Sequence, residues 1–270
     1  MTHLPGKFVW FEHSSNSPAK ARRFYEPLFD WNTESMPMGE QRYLTIFNGQ
    51  ERIGGYGSAT DGARNQWIAH LSVDDVDDAF DAALAAGAHA VAHAVARPAD
   101  RGPSGRGAAI ADPTGALLAL WRSAEGDRPD ADSTAIGDWY WNELWTSDPI
   151  GALAFYQRVF GYAHDTMQMN ARDTCYLLKK EGVARASMMR SADRRATSMW
   201  LPYFAVSDCD ATAHEACRLG GEVLSAPRDV PGIGRCAVLG DTLGAAIAVI
   251  RPEPAVNARA QAAITEATAA

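Results

Sequence analysis

Two carboxylates stand at equivalent places in this chain, in the same tryptophan setting: Trp10-x-Glu12, and Trp141-x-Glu143 a further 131 positions along. On a strand, alternation puts Trp10, Glu12 and Ser14 on one face, and Trp141, Glu143 and Trp145 on the matching face of the second copy. A carboxylate among indoles is short of water and must be paired, hydrogen-bonded or protonated; raised in pKa, it becomes a usable general acid or base. A second titrating group accompanies each acid: His70 the first, Tyr203 the second. The candidate catalytic groups are Glu12, His70, Glu143 and Tyr203. A structural role is the competing assignment, with each acid bonded to backbone amides or to an arginine. Arg106 and Arg235, which follow Gly105 and Gly234, are the equivalent candidates.

The elements that position these groups are written twice. Trp10, Glu12, Phe24, Tyr25 and Phe29 recur as Trp141, Glu143, Phe155, Tyr156 and Phe160 at an offset of 131. Trp67, Val73, Asp75, Asp77 and Gly87 recur as Trp200, Val206, Asp208, Asp210 and Gly220 at 133, and Pro98, Arg106, Asp112 and Gly115 recur as Pro227, Arg235, Asp241 and Gly244 at 129. Such self-similarity means two homologous domains, with the drift in offset marking loops. The polar, acidic stretch 125–135 reads as a linker between a first domain, 1–124, and a second, 136–252; the Ala-rich 253–270 reads as a tail.

Within each copy, short strands alternate with single helices. Residues 7–14 predict a strand, 18–29 a helix with Phe24 and Tyr25 inward, and 43–47 and 52–58 further strands; Gly54-Gly55 suggests a bulge or a close backbone approach. A second unit follows, with a strand at 67–73, a helix capped by Asp74 or Asp75 and stopped at Gly87, and three strands ending with 115–121. Four β-α-β-β-β units result, an α+β fold.

Composition narrows the partners. A net charge of −8 and small arginine groups argue against nucleic acid. The longest apolar runs, 116–121 and 245–250, are far below a bilayer span, and no signal segment opens the sequence, so a cytoplasmic protein without a membrane partner is expected. Cys175, Cys209, Cys217 and Cys236 lack C-x-x-C spacing and read as reduced and structural. His89 and His93, four apart in an Ala/Val-rich stretch without an equivalent in the second copy, read as solvent-edge histidines.

The series Phe24-Tyr25…Phe29-Asp30-Trp31, Trp67…Val73-Asp74-Asp75-Val76-Asp77, Ala86-Gly87-Ala88 and Asp112-Pro113-x-Gly115, with its second-half counterparts, resembles the vicinal oxygen chelate superfamily. That is the glyoxalase, bleomycin-resistance and extradiol-dioxygenase superfamily, and the layout looks most like its tandem two-domain members. The resemblance covers nearly all of residues 6–251. It implies paired β-α-β-β-β modules curled into incomplete barrels, and in metal-using members a divalent ion held from the first, fifth and last strands. Those positions fall on Trp10, Ile68 and Ala119 in one half and on Trp141, Leu201 and Ala248 in the other. Indole, aliphatic and methyl groups are not ligands for such an ion, so neither a metal site nor any other cofactor is expected.

The concave faces then carry Trp10, Glu12, Ile68, His70, Ala119 and Trp121 in one bowl, and Trp141, Glu143, Trp145, Leu201, Tyr203 and Ala248 in the other. Of these, Trp10, Ile68, Trp121, Trp141, Trp145 and Leu201 are the expected ligand contacts. Trp67 and Trp200 read as core. Such an inventory suits a small hydrophobic or aromatic molecule, a natural product or antibiotic, bound by a metal-independent protein acting in resistance or biosynthesis. The alternative is a metal-independent lyase, isomerase or cyclase using a cavity glutamate; a weaker one is a metal-dependent glyoxalase or oxygenase with displaced ligands. Either bowl can be the working one, and the chain can be a monomer or a homodimer.

Overall fold

The computed structural model describes residues 2–38, 41–59, 62–91, 98–169, 174–193 and 196–253. His93 and residues 254–270 of the expected tail lie outside that set.

The first half runs β1 (Phe8–Ser15), α1 (Pro18–Phe29), β2 (Asn32–Met38), β3 (Gln41–Asn48), β4 (Glu51–Ser58), β5 (Gln66–Ser72), α2 (Val76–Ala85), β6 (His89–Ala90), β7 (Ala99–Asp100), β8 (Gly105–Ala111) and β9 (Leu117–Ser123). The second half runs β10 (Trp139–Thr146), α3 (Pro149–Phe160), β11 (Ala163–Gln168), β12 (Thr174–Lys180), β13 (Val183–Arg190), β14 (Met199–Ala205), α4 (Cys209–Arg218), β15 (Glu222–Val230), β16 (Gly234–Gly240) and β17 (Ala246–Pro252).

Local chemistry sets the helix bounds. Pro18 opens α1 where a missing N–H costs nothing, and Asp30 ends it in the left-handed region at φ 55°. Asp75 accepts hydrogen bonds from the amides of Asp77 and Asp78, and Asp208 from those of Asp210 and Ala211, so α2 and α4 begin with the same cap. The buried residues Ala21, Phe24, Tyr25 and Phe29 form one stripe of α1.

Each half forms one sheet. The order is β2-β3-β4-β1-β5-β9-β8-β6 with β7 on β8, and in the second half β11-β12-β13-β10-β14-β17-β16-β15. The modules meet at the antiparallel pairs β1·β5 and β10·β14, while β1·β4, β5·β9, β10·β13 and β14·β17 are parallel. The sheet of the first half curls into a half-barrel.

The helix-side cores are shared between halves. One cluster joins Phe24, Tyr25 and Phe29 of α1 to Ala213 and Ala216 of α4; another joins Phe80 and Ala83 of α2 to Phe155, Tyr156 and Phe160 of α3. Trp67 and Trp200 lie in these cores, each donating its indole N–H to a tyrosine hydroxyl, Tyr25 at 3.0 Å and Tyr156 at 2.9 Å. Asp112 of the Asp112-Pro113-x-Gly115 turn accepts the Tyr156 hydroxyl at 2.9 Å, and its counterpart Asp241 meets His13 at 2.8 Å. These aspartates also accept amides of their own turns, which explains why the motif recurs: one side chain closes the turn and ties the two halves together. The 125–135 stretch is anchored too, through Asp130 to Lys7 at 3.1 Å and to Arg185 at 2.7 Å. The four cysteines are free thiols, and no helix among the described residues is long and apolar enough to cross a membrane.

Candidate functional site

Strand register assembles the first bowl. Trp10 lies opposite His70 and Glu12 opposite Ile68 across β1·β5, while His70 faces Ala119 and Ser72 faces Trp121 across β5·β9. Glu12 Oε2 accepts the Tyr43 hydroxyl at 2.8 Å, and the Trp10 indole N–H donates to that hydroxyl at 3.2 Å. Two glycines of β4 clear the way for this arrangement. A Cβ on Gly55, directly across from Glu12, would run into the Tyr43 ring, and one on Gly57 would stand 2.5 Å from Glu12 Oε1. Gly54 is the close backbone approach that the sequence suggested, since a Cβ there would lie 2.5 Å from the Phe11 carbonyl oxygen; the ladder irregularity falls beside it, between Ile46 and Phe47.

Burial raises the Glu12 carboxyl above the ordinary glutamate range, against the opposing pull of the Tyr43 hydrogen bond and the Arg101 charge. Burial, with Arg101 adding to it, lowers His70 to about 3, so the imidazole is neutral at physiological pH. Among the described residues its buried Nδ1 has no hydrogen-bond partner, and Glu12 Oε1 receives no hydrogen bond. The His70 ring lies 5.9 Å from that of Trp121.

The second bowl uses the same relay and then closes it. The Trp141 indole donates to Ser187 Oγ at 2.8 Å, and Ser187 donates to Glu143 Oε1 at 2.9 Å, so a serine opposite the acid replaces the tyrosine that Gly55 admits. Glu143 Oε2 accepts two more bonds, from Trp145 at 2.7 Å and from Tyr203 at 2.9 Å. Trp145, Met199 and Tyr203 pack on buried Leu201, Val238 and Ala248. Burial first, then the Glu143 charge, pushes the Tyr203 hydroxyl well above the usual tyrosine range, and burial raises the Cys175 and Cys236 thiols to about 12. Where the second bowl has Trp145, Cys236 and Val238, the first has Ser14, Gly107 and Ala109. Gly107 makes way for the Trp121 indole of the first bowl, since a Cβ there would lie 2.8 Å from that ring, and Ser14 is itself buried.

Arg106 and Arg235 are not the partners of the two acids. Arg106 binds Asp77 at 2.6 Å and Asp100 at 2.9 Å, and Arg235 binds Asp210 at 2.6 Å and Asp229 at 3.2 Å, each clamping a strand to a helix start at the surface. The arginine whose charge reaches Glu12 is Arg101. Tyr43, Ser187, Cys175 and Arg101 are the site residues that sequence reasoning missed. A period-two reading of β3, with Gly55 taken as space for its neighbour, points to Tyr43. His89 is exposed on β6.

A cleft of about 440 Å³ lies elsewhere, between the Pro113-Thr114 turn and the start of α3. Its acidic group, Asp148, is occupied in capping α3 through the Gly151 amide at 3.2 Å, so the bowls remain the chemically equipped sites.

Residues 10–121 match a family model described as a glyoxalase-like domain. The CFP32 protein of Mycobacterium tuberculosis (strain CDC 1551 / Oshkosh), whose name carries a provisional glyoxylase assignment, is 34% identical over 91% of this chain and 94% of that protein. The anthracycline biosynthesis protein DnrV of Streptomyces peucetius is 32% identical over 91% of this chain and 93% of that protein. In fold, the chain is similar to the 2,2',3-trihydroxybiphenyl 1,2-dioxygenase of Sphingomonas wittichii RW1 (TM-score 0.61, 14% identity, 93% of this chain and 91% of that one). It is also similar to the Mn(II)-bound glyoxalase of Novosphingobium aromaticivorans (TM-score 0.58, 15% identity, 95% and 90%).

The metal-ligand positions implied by the resemblance do not fit an ion. The Trp10 and Trp141 indoles are hydrogen-bond donors to Tyr43 and Ser187, and Ile68, Ala119, Leu201 and Ala248 are buried apolar side chains. Glu12 and His70 offer two donors where a catalytic zinc-type ion takes three, and no group of three His, Cys, Asp or Glu among the described residues stands ready to hold one.

Proposed function

The chain belongs to the glyoxalase-like family of the vicinal oxygen chelate superfamily, and from that premise we propose that its first bowl binds a flat aromatic or amphipathic small molecule without a metal ion. The observation that carries this reading is the contrast between the acids. Glu143 is bonded by Ser187, Trp145 and Tyr203 and belongs to a packed core, whereas in the first bowl Glu12 Oε1 and His70 Nδ1 have no hydrogen-bond partner among the described residues. A ligand hydroxyl or carbonyl can bond to these atoms while its rings lie against Trp10 and Trp121. Two similar proteins named for anthracycline biosynthesis support a fused-ring natural product as the ligand class. Titration of tryptophan emission with polycyclic aromatic compounds should show saturable quenching, with the compound recovered unchanged. Quenching that persists undiminished after Trp10→Ala and Trp121→Ala would refute the placement.

A second reading, an enzyme, is favoured by the raised Glu12 carboxyl. His70, neutral down to about pH 3, is a weak base, so Glu12 is the group that would transfer the proton, to or from an oxygen or an activated carbon of the substrate. Glu12→Gln would then lower turnover by roughly a hundredfold or more with little change in affinity.

A further inference from the structure

Both halves carry a turn before their penultimate strand, and in the first half it forms a strap across the bowl that bears an arginine. Between β7 and β8 the chain turns through Gly102–Ser104, and this turn packs against β2, on the far side of the half-barrel. Its bounds are pinned. The Arg101 amide donates to the Gly105 carbonyl at 2.7 Å, the Ala124 amide donates to the Ser104 carbonyl at 3.0 Å, and Gly105, at φ 141°, passes so close to the Arg122 carbonyl that a Cβ would collide with it. The second half repeats these pins between β15 and β16: the Ile233 amide donates to the Val230 carbonyl at 3.0 Å, the Glu253 amide donates to the Ile233 carbonyl at 3.3 Å, and a Cβ on Gly234, at φ 143°, would collide with the Arg251 carbonyl.

Register identifies what the strap adds. Asp100 pairs with Arg106 as Asp229 pairs with Arg235, so the next residue along is Arg101 in one half and Val230 in the other. The arginine is therefore present only beside the first bowl. It is half-buried and forms no ion pair with a described residue, whereas Arg106, five positions on, is bonded to two aspartates. Asp100 turns its side chain to Arg106, which in turn binds Asp77 at the start of α2, so alternation turns Arg101 to the opposite, concave side, where its charge acts on Glu12, Tyr43 and His70 from three different strands of the bowl. A partly desolvated guanidinium without a counter-ion is a ready partner for a carboxylate or phenolate oxygen.

We propose that Arg101 makes the first bowl selective for aromatic molecules that carry an ionised oxygen, which pairs with the guanidinium while the ring system lies against Trp10 and Trp121. The inference rests on the binding role given to this bowl and adds the charge class of its ligand. A neutral ring alone would leave the guanidinium desolvated and unpaired.

The probes are anthraquinone-2-carboxylate and its neutral carboxamide, titrated calorimetrically into the full chain, its Arg101→Gln variant and its Arg101→Lys variant. The expected result is tighter binding of the carboxylate to the natural chain, a loss of about tenfold or more of that affinity in Arg101→Gln, and partial retention in Arg101→Lys, with carboxamide affinity unchanged throughout. Equal affinity for the two probes in the natural chain, or a carboxylate affinity untouched by Arg101→Gln, overturns the charge selectivity while leaving the bowl a binding site. Binding of neither probe overturns both readings. Arg101 lies on the strap outside the hydrophobic clusters, and an unchanged thermal midpoint for Arg101→Gln separates lost recognition from lost folding.

Discussion

His13 and Asp241 meet at 2.8 Å with no exposed side-chain surface on either, one from the first strand of the first half and the other from the last turn of the second. Burial works against the Asp241 charge, but the His13 contact and the amides of Ala245 and Leu243 outweigh it and hold the carboxyl below the ordinary aspartate range. A folded-state pKa below the unfolded value of about 3.9 means that the stabilisation is fully present above that value and is lost as pH falls through the folded pKa. Urea unfolding should therefore show stability declining below about pH 4, and Asp241→Asn should flatten that decline. Asp241→Ala, which leaves a buried His13 nitrogen without its hydrogen-bond partner, should cost about 1–3 kcal/mol.

In the second bowl, Trp145 stands where the first has Ser14, bonds Glu143 and packs on the Leu201, Val238 and Ala248 cluster. Trp145→Ala should destabilise the protein by about 3 kcal/mol, the low end for a large aromatic because the ring is only half-buried. Denaturant midpoints measure that loss, and affinity for aromatic probes should be unchanged. Reduced affinity in this variant would move the working site to the second bowl.

The repeat made most of this fold legible. The bounds of α1 and the aspartate caps of α2 and α4 follow from local chemistry that any single segment displays, and alternation alone put Trp10, Glu12, Ile68 and His70 on a common face. What could not be read is what crosses strands. Tyr43 reaches Glu12 because Gly55 has no side chain, a relation between β1, β3 and β4 that exists only once the sheet is formed. Arg106 looked like the partner of Glu12 because it opens a strand beside the bowl. The β8 register instead brings it to Asp77 at the start of α2, and Arg101 has only Val230 as its counterpart in the second copy, so the repeat does not single it out. Nor did sequence reveal that the helix-side cores are shared, since pairing α1 with α4 is a property of how the halves dock.

Gly55 yields its own prediction. Gly55→Ser reproduces the second-half arrangement at Ser187, but in the first half the new side chain meets the Tyr43 ring. Overpacking of this kind costs about 1–3 kcal/mol, and displacing Tyr43 removes the only hydrogen bond that Glu12 receives from a described residue. Thermal unfolding should show the loss of stability, and aromatic-probe affinity should fall with it. Tyr43→Phe, which deletes the hydroxyl and keeps the ring, should weaken binding with a smaller stability loss.

Glu12 links ligand charge to pH. Its folded pKa is raised, so between the unfolded value of about 4.3 and the folded one the protein holds a proton that the unfolded chain has released, and stability falls as pH rises through that window. An anionic ligand seated beside this carboxyl favours the protonated form further, since two negative charges in a half-buried bowl repel. Carboxylate affinity should therefore decrease as pH climbs past the Glu12 pKa, with proton uptake on binding at pH values where the free protein has lost that proton. His70, lowered to about 3, stays neutral across the range and contributes no second inflection. Calorimetry of anthraquinone-2-carboxylate from pH 4 to pH 9, in two buffers of different ionisation enthalpy, measures both effects. Glu12→Gln should give a flat affinity profile and no proton uptake, because a neutral amide at that position leaves the Arg101 charge unopposed at every pH.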